Sequence, residues 1–296
     1  MRKLVFLAFF AILWMVSCRE PYDIELGDQL SNRLVVDGMI TTEPKEHLVK
    51  LSRTSLYLSN TEAPVEQAAK VKILELDTFG NLLNTFDLTE KEPGNYYTAM
   101  VQGKEKLFYE LQIETTDGEK YQAKSYLRPA VSIDSVTYDF DETLNFQTNE
   151  TDSFYVFYFF GPEPKGKGDA YYWELYSNDT LLTDSLRELN FVDDEAVDGK
   201  YIYDFALFTI DAKHFQQDIS KAKIVMHTIE RPVYDYFLNT MFETEWKSGI
   251  FDGPPANVLG NVSNNGVGYF YASDIENSYV EVVKGVSRYR PEYLRK

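Results

Sequence analysis

Apolar and polar residues alternate along much of the chain. The clearest run is Leu107, Tyr109, Leu111 and Ile113, interleaved with Glu110, Gln112 and Glu114. Period-two alternation buries one face of a strand and leaves the other to water. Asp117-Gly118 follows, and Tyr121, Ala123, Ser125 and Leu127 then alternate again. Asp and Gly accept the positive φ of a type I′ turn, so the two runs predict a hairpin. The same pattern predicts strands at 33–40, 47–52, 70–77, 82–88, 95–101, 106–115 and 120–127, with Pro93-Gly94-Asn95 as another turn. Seven short strands within 33–129 predict a β-sandwich of immunoglobulin-like or transthyretin-like type. His47 sits in one of them beside Glu46 and reads as a surface imidazole.

Arg128-Pro129-Ala130 interrupts the pattern and predicts a domain boundary, with a second β-rich domain over 130–296. A new strand starts at Val131. Residues 154–160, Phe-Tyr-Val-Phe-Tyr-Phe-Phe, are apolar on both faces and predict a central strand between packed layers. Further strands are expected at 170–177, 201–208 and 222–229, and a Gly266–Ala272 strand follows the Asn264-Asn265 turn. One segment changes period. Pro232 suits a first helical turn, and Tyr234, Phe237, Leu238 and Met241 then form a stripe at i, i+3, i+4 and i+7. Lys247 and Gly249 supply a favourable C-terminal charge and a stop, so a helix is predicted near 232–247. A weaker helix or turn is expected within 211–221. The predicted class is mainly β, a sandwich followed by a β-rich domain with one clear α-helix.

The N-terminus does not belong to that pattern. Arg2 and Lys3 precede an uncharged run of 13 residues, Leu4–Val16. A membrane-spanning helix needs about 20 residues, so the layout is that of a signal peptide over 1–17. The run ends Met15-Val16-Ser17-Cys18, and Cys18 is the single cysteine of the chain. A small residue before a cysteine at this point resembles a bacterial lipobox, which implies cleavage before Cys18 and acylation of its thiol and new amine. Several acyl chains anchor stably where one is marginal. Residues 18–32 then read as lipidated cysteine and tether. The acidic Glu20, Asp23 and Glu25 are similar to the surface-export signal of Bacteroidetes lipoproteins.

Composition narrows the partners. Aromatics are 15% of the chain, enough to build a large core and to rule out disorder as the main state. Lys and Arg number 29 against 47 Asp and Glu, a formal charge of −18, and loss of Arg2 and Lys3 with the leader takes it to about −20. This argues against nucleic acid and against a polybasic membrane patch. No cysteine remains for disulfides or thiolate metal sites.

An ordered set of segments carries a family resemblance. It comprises Val35-Val36-Asp37-Gly38-Met39-Ile40, Ile133-Asp134-Ser135-Val136, the strand Lys223–Ile229 and Tyr234-Asp235-Tyr236-Phe237. Pro254-Pro255-Ala256-Asn257, Gly260-Asn261-Val262 and Gly266–Ala272 complete it. The set resembles the Bacteroidetes lipoprotein family catalogued as domain of unknown function 4249, over nearly the whole mature chain. That family has no established activity, and its members are often encoded beside TonB-dependent outer-membrane receptors. The resemblance implies an accessory lipoprotein of an uptake system, with the TonB-dependent receptor as partner. The acidic stretch after Cys18 adds the expectation of the outer face of the outer membrane, and the failure of the catalytic motifs below adds that of a non-enzymatic protein without a cofactor.

Gly161-Pro162-Glu163-Pro164-Lys165-Gly166-Lys167-Gly168 approaches a phosphate-binding loop, but Gly168 stands where Ser or Thr must hold Mg²⁺, and a strand follows instead of a helix. It reads as a mobile hairpin loop. Asp193, Asp194, Glu195 and Asp198 before Gly199 invite a calcium reading. An EF-hand register from Asp194 fails at Ala196 and at Phe205, where a bidentate Glu is required, leaving a looser oxygen-lined site or a solvated loop. His47, His214 and His227 form no HExxH pair. Tyr171, Tyr172 and Trp173 are candidate ligand contacts, since sugars stack on exposed aromatic faces, with core packing as the alternative. Asp179-Thr180-Leu181 and Asp184-Ser185-Leu186 are similar to the Asp-Ser/Thr-apolar acceptor of Bacteroidetes O-glycosylation, which makes Thr180 and Ser185 candidate acceptors. Direct capture of a glycan, peptide or chelate, and an adhesin or structural role, are the alternatives to the accessory role.

Overall fold

A computed structural model describes residues 32–55, 62–147, 149–244 and 258–289. The leader, Cys18, the tether to 31, the helix stop at Lys247 and Gly249, and the Pro254–Asn257 loop lie outside the described residues.

The first half contributes β1 (Leu34–Thr41), β2 (Lys45–Arg53), β3 (Ala68–Leu76), β4 (Leu82–Asp87), β5 (Thr89–Glu92), β6 (Asn95–Val101), β7 (Phe108–Thr115) and β8 (Lys120–Tyr126). All but β5 correspond to strands read from alternation. β7 and β8 form the hairpin expected at Asp117-Gly118, but only Gly118, at φ +90°, is left-handed while Asp117 is not, so the turn is not the expected type I′. The second half contributes β9 (Ser135–Asn145), β10 (Glu150–Pro162), β11 (Asp169–Ser177), β12 (Thr180–Leu181), β13 (Asn190–Asp193), β14 (Tyr201–Asp211), β15 (Ile219–Glu230) and β16 (Val267–Val283). The helix α1 spans Arg231–Thr244, directly after β15. The expected helix or turn within 211–221 is a single 3-10 turn, Ala212–His214.

The described strands form three sheets. A long one orders β12-β11-β15-β16-β1-β2-β6-β5, with β13 also paired to β11. The others are a four-stranded β4-β3-β7-β8 sheet and a three-stranded β14-β10-β9 sheet. The break at Pro129 falls between β8 and β9, yet both halves of the chain give strands to the long sheet. The join is β16. Its first part runs parallel to β1, from Val267 opposite Val35 to Ser273 opposite Thr41. Its second part pairs antiparallel with β15, from Asp274 opposite Thr228 to Val283 opposite Ile219.

Because side chains alternate along β16, its even-numbered residues lie on one face of the long sheet. Phe270 and Ala272 enter a core with Val36, Leu51, Ile73, Tyr109 and Leu111, beneath the four-stranded sheet. Val282 enters a second core with Tyr155, Phe157, Phe159, Trp173 and Met226, beneath the three-stranded sheet. The odd-numbered Tyr269 and Tyr271 face the other way, toward α1 and the buried Tyr172, Ile229 and Val233. Two small sheets thus lie side by side on one face of a shared sheet, and the helix covers part of the opposite face.

Asp274, 5% exposed, sits where β16 changes partner. Its carboxylate accepts from the Thr42 hydroxyl, from the Ala130 N–H at 2.7 Å and from the Ile275 N–H at 2.9 Å. The Glu230 carboxylate accepts from the Ser125 hydroxyl and the Tyr126 N–H, both at 2.8 Å, tying β8 to the end of β15.

Several expectations change. His47 is not a surface imidazole but 1% exposed, because it shares parity with the buried Val49 and Leu51 on β2. Its Nε2 contacts the Val101 carbonyl oxygen at 3.0 Å, and burial lowers its pKa to about 4. On α1, Tyr234 and Phe237 do pack inward, but the buried residue is Val233. The loop 163–168 is not a hairpin: β10 and β11 belong to different sheets, so it is a crossover. The C-terminal segment is docked as far as it is described, with the Arg288 and Tyr289 N–H groups on the Tyr138 carbonyl at 3.0 and 2.9 Å and the Tyr289 ring against Tyr158 and Phe160. The outward face of the aromatic run in β10 is covered by the chain's own tail.

The β1–β16 pairing admits no side chain at Gly268. That residue has φ +88°, and a Cβ would stand 1.9 Å from the Val36 carbonyl oxygen. Gly118 has a similar φ with nothing within 4 Å. Gly118→Ala therefore loses only the conformational term, about 1 kcal/mol, whereas Gly268→Ala is expected to cost about 3 kcal/mol or more. Urea unfolding of the two variants measures the difference, and equal losses would show that the close approach carries no weight.

Candidate functional site

The crossover 163–168 leaves the three-stranded sheet and enters β11, and the turn 194–200 leaves β13 and enters β14. The two segments meet backbone to backbone. Glu163 N–H donates to Lys200 O at 2.8 Å, Gly199 N–H to Pro164 O at 3.0 Å, and Asp194 N–H to Asp169 O at 3.1 Å. Gly166 and Gly168, at φ +121° and +110°, give the crossover a path closed to most L-residues.

This meeting gathers three carboxylates. One oxygen from each of Glu163, Asp169 and Asp194 lies within 4.8 Å of the others. Glu163 is 5% exposed and accepts a hydrogen bond from the Tyr171 hydroxyl at 2.9 Å. Asp169 is paired with the Arg128 guanidinium. Asp194 is 1% exposed, and its Oδ2 accepts from the Gly168 N–H at 2.9 Å and the Asp169 N–H at 3.2 Å. Its Oδ1 is buried without a hydrogen-bond partner. Asp198 stands at the rim and accepts from the Gly166 N–H at 2.7 Å.

Burial raises the Glu163 pKa to about 7, against the pull of its Tyr171 hydrogen bond, and neighbouring Asp169, Asp194 and Asp198 raise it further. Burial also raises Asp169, opposed by Arg128. An all-oxygen cluster of this kind can share a proton or hold a hard cation.

The four acidic residues singled out in the sequence do not act together. Asp193 and Glu195 turn to Arg231 at the start of α1, at 3.0 and 3.2 Å. Only Asp194 enters the cluster. Its companions were missed because Glu163 lay inside a loop judged only as a failed phosphate-binding motif, and Asp169 read as the first residue of a strand. Proximity across two sheets has no spacing signature.

The aromatic platform is corrected outright. Tyr171, Tyr172 and Trp173 are 4%, 3% and 2% exposed. β11 has layers on both faces, so Tyr171 and Trp173 enter the core under the three-stranded sheet, while Tyr172 faces α1 and stacks on His227 at 4.1 Å. None is available to stack on a ligand. Thr180 and Ser185 are exposed, Thr180 just after the tight Asn178-Asp179 turn. No helix among the described residues is long and apolar enough to cross a membrane.

Among the described residues, the sheets and cores define a multi-sheet β-sandwich protein with one peripheral helix. The family described as Domain of unknown function (DUF4249) matches residues 19–278, and the chain belongs to it. No curated protein matches. Among solved structures, trypsin-activated alpha-2-macroglobulin from Escherichia coli is similar over 67% of this chain at 11% identity with a TM-score of 0.24, and the match spans 14% of that protein's length.

The raised Glu163 pKa predicts a pH effect. A carboxyl whose folded pKa lies above its unfolded value favours folding when protonated, and that advantage is lost as pH rises from about 4.5 to 7. Gln has no such dependence. In chelator, the stability of Glu163→Gln relative to the wild type should therefore rise across that window, measured by urea midpoints at its two ends. Comparing variants cancels the opposite trend of His47, present in both. A pH-independent difference would show that the carboxyl is not desolvated.

Proposed function

We propose that the protein is a non-enzymatic lipoprotein of a Bacteroidetes outer membrane, held on the cell surface by acylated Cys18 and serving as an accessory or binding subunit of a TonB-dependent receptor. The observation that carries this reading is the junction at Cys18. An uncharged run of leader type ends at the chain's single cysteine. The family match begins at residue 19, and the first strand begins at Leu34. A tether of this length, if fully extended, reaches about 50 Å, so the folded body is free to stand beside a barrel and lean against it.

The charge fits that setting. A body near −20 stands off from an anionic leaflet, which favours contact with protein over lipid. Burial of Tyr171, Tyr172 and Trp173 withdraws the specific surface on which direct glycan capture was based. Exposed Thr180 and Ser185 are the acceptors we assign to O-glycosylation, a modification suited to the same compartment.

Cells fed an alkyne-tagged fatty acid should yield labelled wild-type protein and unlabelled Cys18→Ala, and added protease should digest the wild type on intact cells. Purification from detergent-solubilised outer membranes should recover a β-barrel receptor. Labelling without a barrel in repeated purifications would leave a lipoprotein but remove the uptake role.

A further inference from the structure

We propose that Glu163, Asp169 and Asp194 bind a calcium ion that locks the crossover between the two sheets. The inference concerns this cluster alone and does not depend on the receptor partnership. Two observations carry it. The first is the geometry: three carboxylate oxygens within 4.8 Å of one another match the spread of ligands around one ion at about 2.4 Å. The second is Asp194 Oδ1. It belongs to a residue 1% exposed and has no hydrogen-bond partner, while the other oxygen of the same carboxylate is held by two backbone N–H groups. A buried carboxylate oxygen with no donor carries an uncompensated desolvation penalty. A cation bound by the cluster supplies the missing partner.

Charge and donor type select the ion. Three carboxylates against the Arg128 guanidinium leave two negative charges, which a divalent cation balances. Oxygen-only ligation favours hard cations over zinc or copper. The ligands come from two irregular loops and a strand start, and Arg128 and the Tyr171 hydroxyl occupy fixed positions among them. Magnesium demands a near-ideal octahedron, whereas calcium tolerates irregular shells completed by water or backbone oxygens.

Such an ion has a defined structural effect. Glu163 follows β10 of the three-stranded sheet, Asp169 opens β11 of the long sheet, and Asp194 follows β13 and precedes β14. One ion bridges two of the connections between these sheets, β10 to β11 and β13 to β14.

The test uses the mature chain stripped with EDTA and titrated with CaCl₂, followed by calorimetry and thermal unfolding. Saturable binding with a Kd of about 10⁻⁵ to 10⁻³ M and a raised Tm are expected. Asp194→Asn and Glu163→Gln should each weaken binding at least tenfold. Asp193→Asn, which weakens the Arg231 pair while its amide oxygen can still accept from the Glu195 N–H, should bind as the wild type does. Since Asp194 also orders the loop, Glu163→Gln, whose amide oxygen can still accept from Tyr171, keeps the test open if Asp194→Asn misfolds. The proposal is overturned by a folded wild type with no saturable response up to about 10 mM calcium. It is equally overturned by an Asp193→Asn loss as large as that of Glu163→Gln, or by magnesium binding as tightly as calcium.

Discussion

The structure depends on one strand serving two partners. β16 pairs in parallel with β1, near the start of the fold, and then antiparallel with β15. A parallel pairing between chain ends needs a long crossover, here the whole intervening chain, and the loop-closure entropy is recovered only when both cores close over the strand. The contact at its centre is unusually close, since Gly268 lies against the Val36 carbonyl where no Cβ fits. Asp274 then fastens the strand to Thr42 and Ala130 where its partner changes. Without that strand, the sandwich under the four-stranded sheet and the one under the three-stranded sheet would share no layer.

That shared layer explains the two-sided burial of neighbouring strands. β11 is packed on both faces, so consecutive Tyr171, Tyr172 and Trp173 are all lost to solvent. It also explains the rings around α1: Phe237 meets Tyr172 and Tyr271 edge-on at 5.7 and 5.8 Å, and Tyr236 lies 5.0 Å from Tyr269. Edge-to-face contacts of this kind add to area burial and fix the helix on the sheet. The aromatic richness of the chain is therefore architectural, filling three interfaces around one sheet.

The carboxylate cluster stands apart from that economy. Elsewhere, buried acids such as Asp274 and Glu75 are answered by donors: Asp274 by Thr42, Ala130 and Ile275, and Glu75 by Tyr109 and Lys104 at 2.9 and 3.1 Å. In the Glu163–Asp169–Asp194 group one guanidinium and a few N–H and O–H groups face three acids. The imbalance sits at the crossover that links two sheets, where a change in charge compensation acts directly on how they are joined.

The sequence by itself determined the longer strands, several turns and the helix, because period-two and period-3.6 patterns are local and the core imposes them residue by residue, whereas the short β5, β12 and β13 carry too few residues to show a period. The expected leader and its cysteine rest on a contiguous pattern of the same local kind. Tertiary structure decided the rest. Alternation shows that a strand has a buried face but not how many layers cover it, so the burial of Tyr172 could not be read from its neighbours, whereas that of His47 follows from its parity with Val49 and Leu51. A break at Pro129 marks where a run of strands stops, but β-sheets are closed by partners distant in sequence, and β16 crosses that break. The cluster was illegible because its members come from a crossover, a strand start and a turn, brought together only when two sheets pack. Metal and proton chemistry follows distance in space, and for these three acids distance along the chain carried no trace of it.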